Sequence, residues 1–168
     1  VAALHAGARR GELFKLNWED VDFRSSTVHF RDTKNGTDRA IPIDGMLEAL
    51  LKGLASRLTG GPVFTGDAGR LSVDELRNGF EKAVKKSGLV GLRFHDLRHS
   101  YASFLARAGV PLNTVRELLG HRSIEMTLRY SHLSPDHKRD AVAVLDRLFS
   151  GESHQKSQQS ASGESNRS

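Results

Sequence analysis

Leu47, Leu50, Leu51, Leu54 and Leu58 recur at steps of three and four, the spacing of one helix face, and Asp44 stands where the helix should be capped. Ahead of it, Thr27 to Arg31 and Asp38 to Ile43 alternate as strands do, on either side of Asn35-Gly36. Asn-Gly suits the left-handed turn of a tight hairpin, so an antiparallel pair is predicted there. Gly11 to Leu16 reads as a short helix, followed by Trp18, Val21 and Phe23 entering an extended stretch. Further on, Ser72 and Glu75 form a capping box for a helix that turns Leu76, Phe80, Ala83 and Val84 inward and stops at Gly88. His95 to Ala108 stops at Gly109, Leu112 to Leu119 stops at Gly120, and Ser123 caps a short helix running to about Tyr130. Ser134-Pro135 opens the last helix, with Val142, Leu145, Leu148 and Phe149 as its apolar stripe. The pattern predicts an α+β domain, predominantly helical, with a small antiparallel sheet near the N-terminus.

From Ser150 the sequence turns to Ser, Gln, Gly, Glu and Asn, too polar to offset the entropy of ordering, and residues 150–168 are expected to be a disordered tail. Val1 to Leu4 reads as the inside of a helix with no Met before it, so the domain at 1–149 is expected to be a fragment lacking an N-terminal part. The 168 residues suffice for one core. With 25 Lys and Arg against 20 Asp and Glu, the net charge of +5 favours a polyanionic partner. The tail's charges cancel, so the excess belongs to the folded part. There is no cysteine, which excludes disulfides, thiolate metal sites and a Cys nucleophile. No apolar run reaches membrane-spanning length, and a soluble cytoplasmic protein is expected.

Four places could carry chemistry. In His95-Asp96-Leu97-Arg98-His99, His95 and His99 would suit zinc, with Asp96 in the base position. Alternatively, His95 and Arg98 on one face would suit a phosphate, guanidinium gripping oxygens and imidazole moving a proton. The third possibility is that one His packs locally and Arg98 is solvated. Arg9 and Glu12 stand three apart at a helix start, where a bound phosphate would offset the dipole's aversion to Arg; a plain Arg–Glu surface pair fits as well. Lys34 beside the Asn35-Gly36 turn could reach into a DNA groove or an active site, or simply be solvated. Finally, Leu119-Gly120-His121 precedes Tyr130, whose hydroxyl, with an ordinary pKa near 10, needs a base or cation to act as a nucleophile. Half-buried packing is the alternative for such a Tyr.

Taken in order and spacing, these segments resemble the catalytic domain of the tyrosine recombinases, the phage integrase family. The resemblance covers 1–149 and is carried by Gly7-x-Arg9-Arg10-Gly11-Glu12-Leu13, Trp18-x-Asp20-Val21-Asp22, His95-Asp96-Leu97-Arg98-His99, Leu119-Gly120-His121 and Tyr130. It implies that family's catalytic-domain fold, and cleavage and rejoining of double-stranded DNA with no metal or other cofactor. Arg9 and Arg98 would clamp the scissile phosphate and Glu12 would hold the site in shape. Lys34 would protonate the departing 5′ oxygen, His95 would assist proton transfer at the tyrosine, and His121 would donate to a phosphate oxygen. Tyr130 would form a 3′-phosphotyrosyl link. The pocket is expected to be basic, with the Tyr130 hydroxyl near its rim and Tyr101 in the core. The family also implies a preceding DNA core-binding domain, absent here, and a homotetramer on DNA assembled through the last helix. Ala6 departs from the family's usual Thr, and Arg10 beside Arg9 leaves the arginine ambiguous by one; Arg9 is preferred because Glu12 then follows three residues later.

Two other classes compete. Leu112 to Tyr130 superficially resembles a helix-turn-helix, which would make the chain a DNA-binding module without catalysis. Glu19, Asp20 and Asp22 could be ligands of a metal-dependent nuclease, although acidic residues alternating with Val21 and Phe23 equally suit a solvated strand edge.

Overall fold

Short side chains set the depth of the first helix. In α1 (Ala2–Ala6), Ala2, Ala3 and Ala6 are buried, and the helix packs against α3 (Gly45–Gly53) and α5 (Phe94–Arg107). A computed structural model describes residues 1–31, 38–66, 69–135 and 138–149. The chain leaves α1 at Gly7, whose φ of 55° is left-handed. A side chain there would also be blocked, since a Cβ would come within 2.5 Å of the Tyr101 ring. Glycine thus lets the backbone turn directly against α5 and enter α2 (Arg10–Lys15).

After a 3₁₀ turn at Trp18–Asp20 come β1 (Val21–Asp22), β2 (Thr27–Phe30) and β3 (Arg39–Pro42), an antiparallel sheet in that order. Val28 stands opposite Ile41, and Phe30 opposite Arg39. Alternation puts Val28, Phe30 and Ile41 into the core. The expected strands therefore pair as the pattern requires; the Asn35-Gly36 turn and Lys34 lie outside the described residues. A second two-stranded ladder joins β4 (Thr65–Gly66) to β5 (Gly69–Arg70).

Asp44 caps α3, its carboxylate accepting from the Leu47 amide at 2.8 Å. Leu47 and Leu51 are buried, but the helix ends at Gly53, and Leu58, on the following 3₁₀ turn, is 90% exposed. The leucine periodicity therefore overran the helix: chain leaving it in extended geometry at Leu54 no longer presents the same face. The capping box at Ser72 and Glu75 opens α4 (Val73–Lys86), whose Leu76, Phe80 and Val84 are half-buried while Ala83 is exposed. α6 (Leu112–Leu119) ends at Gly120, in the left-handed region at φ 62°. Ser123 does not cap the backbone of α7 (Glu125–Leu128); its hydroxyl donates to the Glu125 carboxylate instead.

Val1–Ser134 form one compact unit with two buried clusters. One gathers the apolar faces of α1, α2, α3 and the sheet; the other joins Ala102 and Ala106 of α5 to Val115, Leu119 and Tyr130. A separate unit begins at Pro135 and contains α8 (Lys138–Phe149), where Val142, Leu145, Leu148 and Phe149 keep helical spacing. The polar segment 150–168 lies outside the described residues. Among the described residues, no helix is long and apolar enough to cross a membrane.

Candidate active site

Arg98 lies on α5 at the seam between the two buried clusters and is only 4% exposed. One terminal nitrogen donates to the Gly7 carbonyl at 2.6 Å, and the other donates to the Leu119 carbonyl. Arg9, at the start of α2, donates to the next carbonyl in the chain, that of Gly120, at 3.4 Å. Two arginines far apart in sequence are therefore brought together by consecutive peptide oxygens at the end of α6. The left-handed turn at Gly120 presents both carbonyls, and a Cβ there would lie 3.0 Å from the Arg39 side chain.

Glu12 ties the second side of the site together. Its carboxylate accepts from the Arg9 amide at 2.6 Å and the Arg9 guanidinium at 2.8 Å, and takes a bidentate pair from Arg39 at 2.7 and 2.9 Å. Burial pushes the Glu12 carboxyl up, but the bonds and charge from Arg39, with those from Arg9, outweigh it and hold the group below its ordinary range. Arg39, opposite Phe30 in the sheet, covers that ring with its guanidinium 4.8 Å from the centroid. Arg10 is exposed, whereas Arg9 is bound into this network.

Arginines dominate the local charge. Burial, followed by the charges of Arg9 and Arg39, brings Arg98 down to about 9, still protonated at neutral pH. Guanidiniums crowded around a single buried carboxylate are poorly matched to one another and well matched to an anion.

His121 follows Gly120 directly. Its Nδ1 lies 2.9 Å from the hydroxyl of Thr127, which is fully buried and fixes the ring. Burial, and then the charges of Arg98 and Arg9, push His121 down to about 4 from an ordinary 6.5. Between those values the unfolded chain binds the proton more readily, so stability is full above about pH 6.5 and is lost as pH falls toward 4. The whole difference corresponds to roughly 3 kcal/mol; solvent around the half-buried ring reduces the expected contribution to about 1–2 kcal/mol. Urea unfolding of the wild type between pH 7.5 and 4.5 should therefore lose about that much more than a His121→Asn variant does. Equal losses in the two proteins would contradict this account of His121.

Tyr130 closes the site from the second cluster. It is 6% exposed and not at a rim, because its ring packs with Ala102, Ala106, Val115 and Leu119. Its hydroxyl lies 2.6 Å from Nδ1 of His99. His95, one helical turn earlier, is exposed and meets the His99 ring edge-on, with centroids 4.8 Å apart. The imidazole bonded to the tyrosine is thus that of His99, with His95 beside it. Tyr101 is half-buried and packs on Gly7.

Of the expected site residues, Arg9, Glu12, His95, Arg98, His121 and Tyr130 surround one locus, and Lys34 lies outside the described residues. Arg39, His99 and Thr127 also contact these residues, and the sequence reading assigns them no role here. In sequence His99 is weighed only as a zinc ligand with His95, four residues away, and Arg39 and Thr127 stand in none of the motifs.

The acidic residues near β1 serve turns. Asp20 accepts from the Asn17 amide at 3.1 Å and pairs with Arg31 at 2.9 Å, while Asp22 accepts from the Arg24 amide and the Ser25 hydroxyl, each at 2.8 Å. Among the described residues, no three His, Asp or Glu side chains are grouped to hold a metal ion. The helix-turn-helix resemblance weakens too, since its second helix, α7, is a single turn.

Residues 2–137 match the phage integrase family, and the chain belongs to it. It is 31% identical over 160 residues to the integrase of Salmonella phage P22, covering 88% of this chain and 41% of that protein. It is 36% identical over 149 residues to the tyrosine recombinase XerA of Pyrococcus horikoshii, covering 82% and 50%. The chain thus spans about half or less of these relatives. Its fold is that of the catalytic domain of bacteriophage HP1 integrase, with a TM-score of 0.69 and 29% identity over 90% of this chain and 82% of that one. A XerA recombinase structure is similar, with a TM-score of 0.70 and 27% identity over 87% of this chain and 54% of that one.

Proposed function

We propose that this chain is the catalytic domain of a tyrosine-type site-specific DNA recombinase, cutting and rejoining double-stranded DNA through a 3′-phosphotyrosyl intermediate. The observation that carries the reading is the convergence of Arg9 and Arg98 on consecutive carbonyls, beside His121 and the Tyr130 hydroxyl. In this scheme, Arg9 and Arg98 hold the non-bridging oxygens of the scissile phosphate, and His121 donates to one of them. Glu12 keeps Arg9 oriented. His95 assists proton transfer, and Lys34 protonates the departing 5′ oxygen. Tyr130 attacks phosphorus, and the resulting ester retains the bond energy, so rejoining needs no ATP and no metal ion.

The integrase and recombinase relatives support the same chemistry. Their greater length fits a preceding helical domain that closes the other half of a clamp on DNA. The apolar stripe of α8 would dock on a neighbouring protomer, giving a homotetramer on DNA in the cytoplasm.

Incubation with a nicked suicide duplex, in which the short fragment bearing the new 5′ hydroxyl diffuses away, should trap protein covalently on the 3′ phosphate in the presence of EDTA. Peptide mapping should place the adduct on Tyr130. Cleavage that requires a divalent cation, or an adduct on another residue, would overturn the proposal.

A further inference from the structure

The hydroxyl proposed as nucleophile is bonded to the imidazole of His99, to which the scheme above gives no role, and His95, the residue given proton transfer there, meets that imidazole edge-on. Burial raises the Tyr130 phenol above its ordinary value, and the charges of Arg129 and Arg98 only partly oppose this. The hydroxyl therefore stays protonated at neutral pH and needs an acceptor when it attacks. The acceptor within reach is Nδ1 of His99, at 2.6 Å, inside the distance at which a general base can take a proton.

We propose that His99 is the catalytic base for Tyr130 in strand cleavage and the acid that returns its proton on rejoining. The assignment rests on the phosphotyrosine reading above. As Oη attacks, its proton passes to Nδ1 of His99, the Oη–P bond forms and the P–O5′ bond breaks. The departing 5′ oxygen takes a proton from water or a neighbouring cation. In the reverse direction the 5′ hydroxyl passes its proton back to that donor as it attacks phosphorus, the P–O5′ bond forms, the Oη–P bond breaks, and the tyrosine oxygen takes its proton from Nδ1 of His99.

Its surroundings keep His99 fit for this task. Burial and then the charge of Arg129 lower its proton affinity, Arg93 and Arg98 add to that, and Asp96 opposes them. His95 faces it edge-on and Tyr130 faces Nδ1. The ring is accordingly neutral at physiological pH, with Nδ1 open to accept from the phenol. Once protonated, it lies among arginines that disfavour the cation, which promotes return of the proton when the phosphotyrosyl bond is reversed. Position alone also counts: the bond holds the phenol oxygen in one place on a ring already packed in the core.

Single-turnover cleavage of the nicked suicide duplex tests the idea in wild type, His99→Ala, His99→Gln and Tyr130→Phe. His99→Ala should lower the cleavage rate about 10²- to 10³-fold near pH 7, with the Kd for DNA within about twofold. Its rate should climb steadily with pH where the wild type levels off. His99→Gln keeps a polar group on the tyrosine and serves if the Ala variant does not fold; it should be equally slow. Replacing the bridging 5′ oxygen with sulfur, a leaving group that needs no proton, should not rescue either variant. Rescue by sulfur would place His99 on the leaving group and overturn the proposal, as would full activity in His99→Gln or a pH profile unchanged from wild type. Failure of the wild type to form any adduct would instead overturn the recombinase reading.

Discussion

Tyr130→Phe should abolish covalent attachment to the suicide duplex while leaving DNA affinity within about twofold of wild type. The substitution removes one oxygen and keeps the ring among Ala102, Ala106, Val115 and Leu119. The folded state loses the bond to His99, about 1 kcal/mol or less for a neutral pair. DNA affinity depends on Arg and Lys contacts to phosphates, which the substitution does not touch. Adduct formation has no substitute nucleophile, because a phenyl ring cannot form the ester. Tyr101→Phe is the matched control: that ring packs on Gly7, and its loss of a hydroxyl should leave cleavage intact. Covalent linkage by the Tyr130→Phe protein would remove the basis of the proposed function.

Arg98→Lys should be nearly as damaging, despite keeping the charge. A guanidinium donates along two directions at once, here to the Gly7 and Leu119 carbonyls, and still offers nitrogen to an anion. An ammonium on a shorter stem cannot bridge both oxygens. Leaving one or two buried carbonyls unpaired costs about 2–4 kcal/mol of stability, measurable as a lower urea midpoint with unchanged slope. The cleavage rate should fall on the order of 10³-fold, the scale for loss of a preorganised donor to a charged transition state. The stability loss follows because Arg98 joins α1 and α6 through their backbones and is not a surface phosphate contact. A Lys variant with wild-type stability would show that those two bonds contribute nothing net to the fold.

Much of this fold was legible in the sequence because local physics specifies it. Asp44 and Ser72 cap helices as their positions suggest, since an N-cap needs only a side-chain oxygen near the first free amides. β2 and β3 pair because alternation puts Val28, Phe30 and Ile41 on one face. Where a local rule met a competing partner it failed. Ser123 bonds Glu125 in place of capping, and Leu58 kept the leucine period after the backbone had stopped being helical.

The sequence by itself determined which residue types were available to the site: guanidiniums, imidazoles, phenols and carboxylates but no thiol, at the spacing of the phage integrase family. It also determined the glycines at 7 and 120, both at left-handed φ, with Gly7 meeting the Tyr101 ring too closely for a Cβ. Only the tertiary structure decided which of these groups face one another. That Arg9 is held and Arg10 is not, that Glu12 is shared with Arg39 across the sheet, and that His99 is the histidine against Tyr130 are all contacts between distant segments. Helical spacing puts His95 and His99 near one another without choosing between them. The choice comes from the packing of α7 and Tyr130 onto α5 and α6, which brings the phenol oxygen to a single imidazole nitrogen.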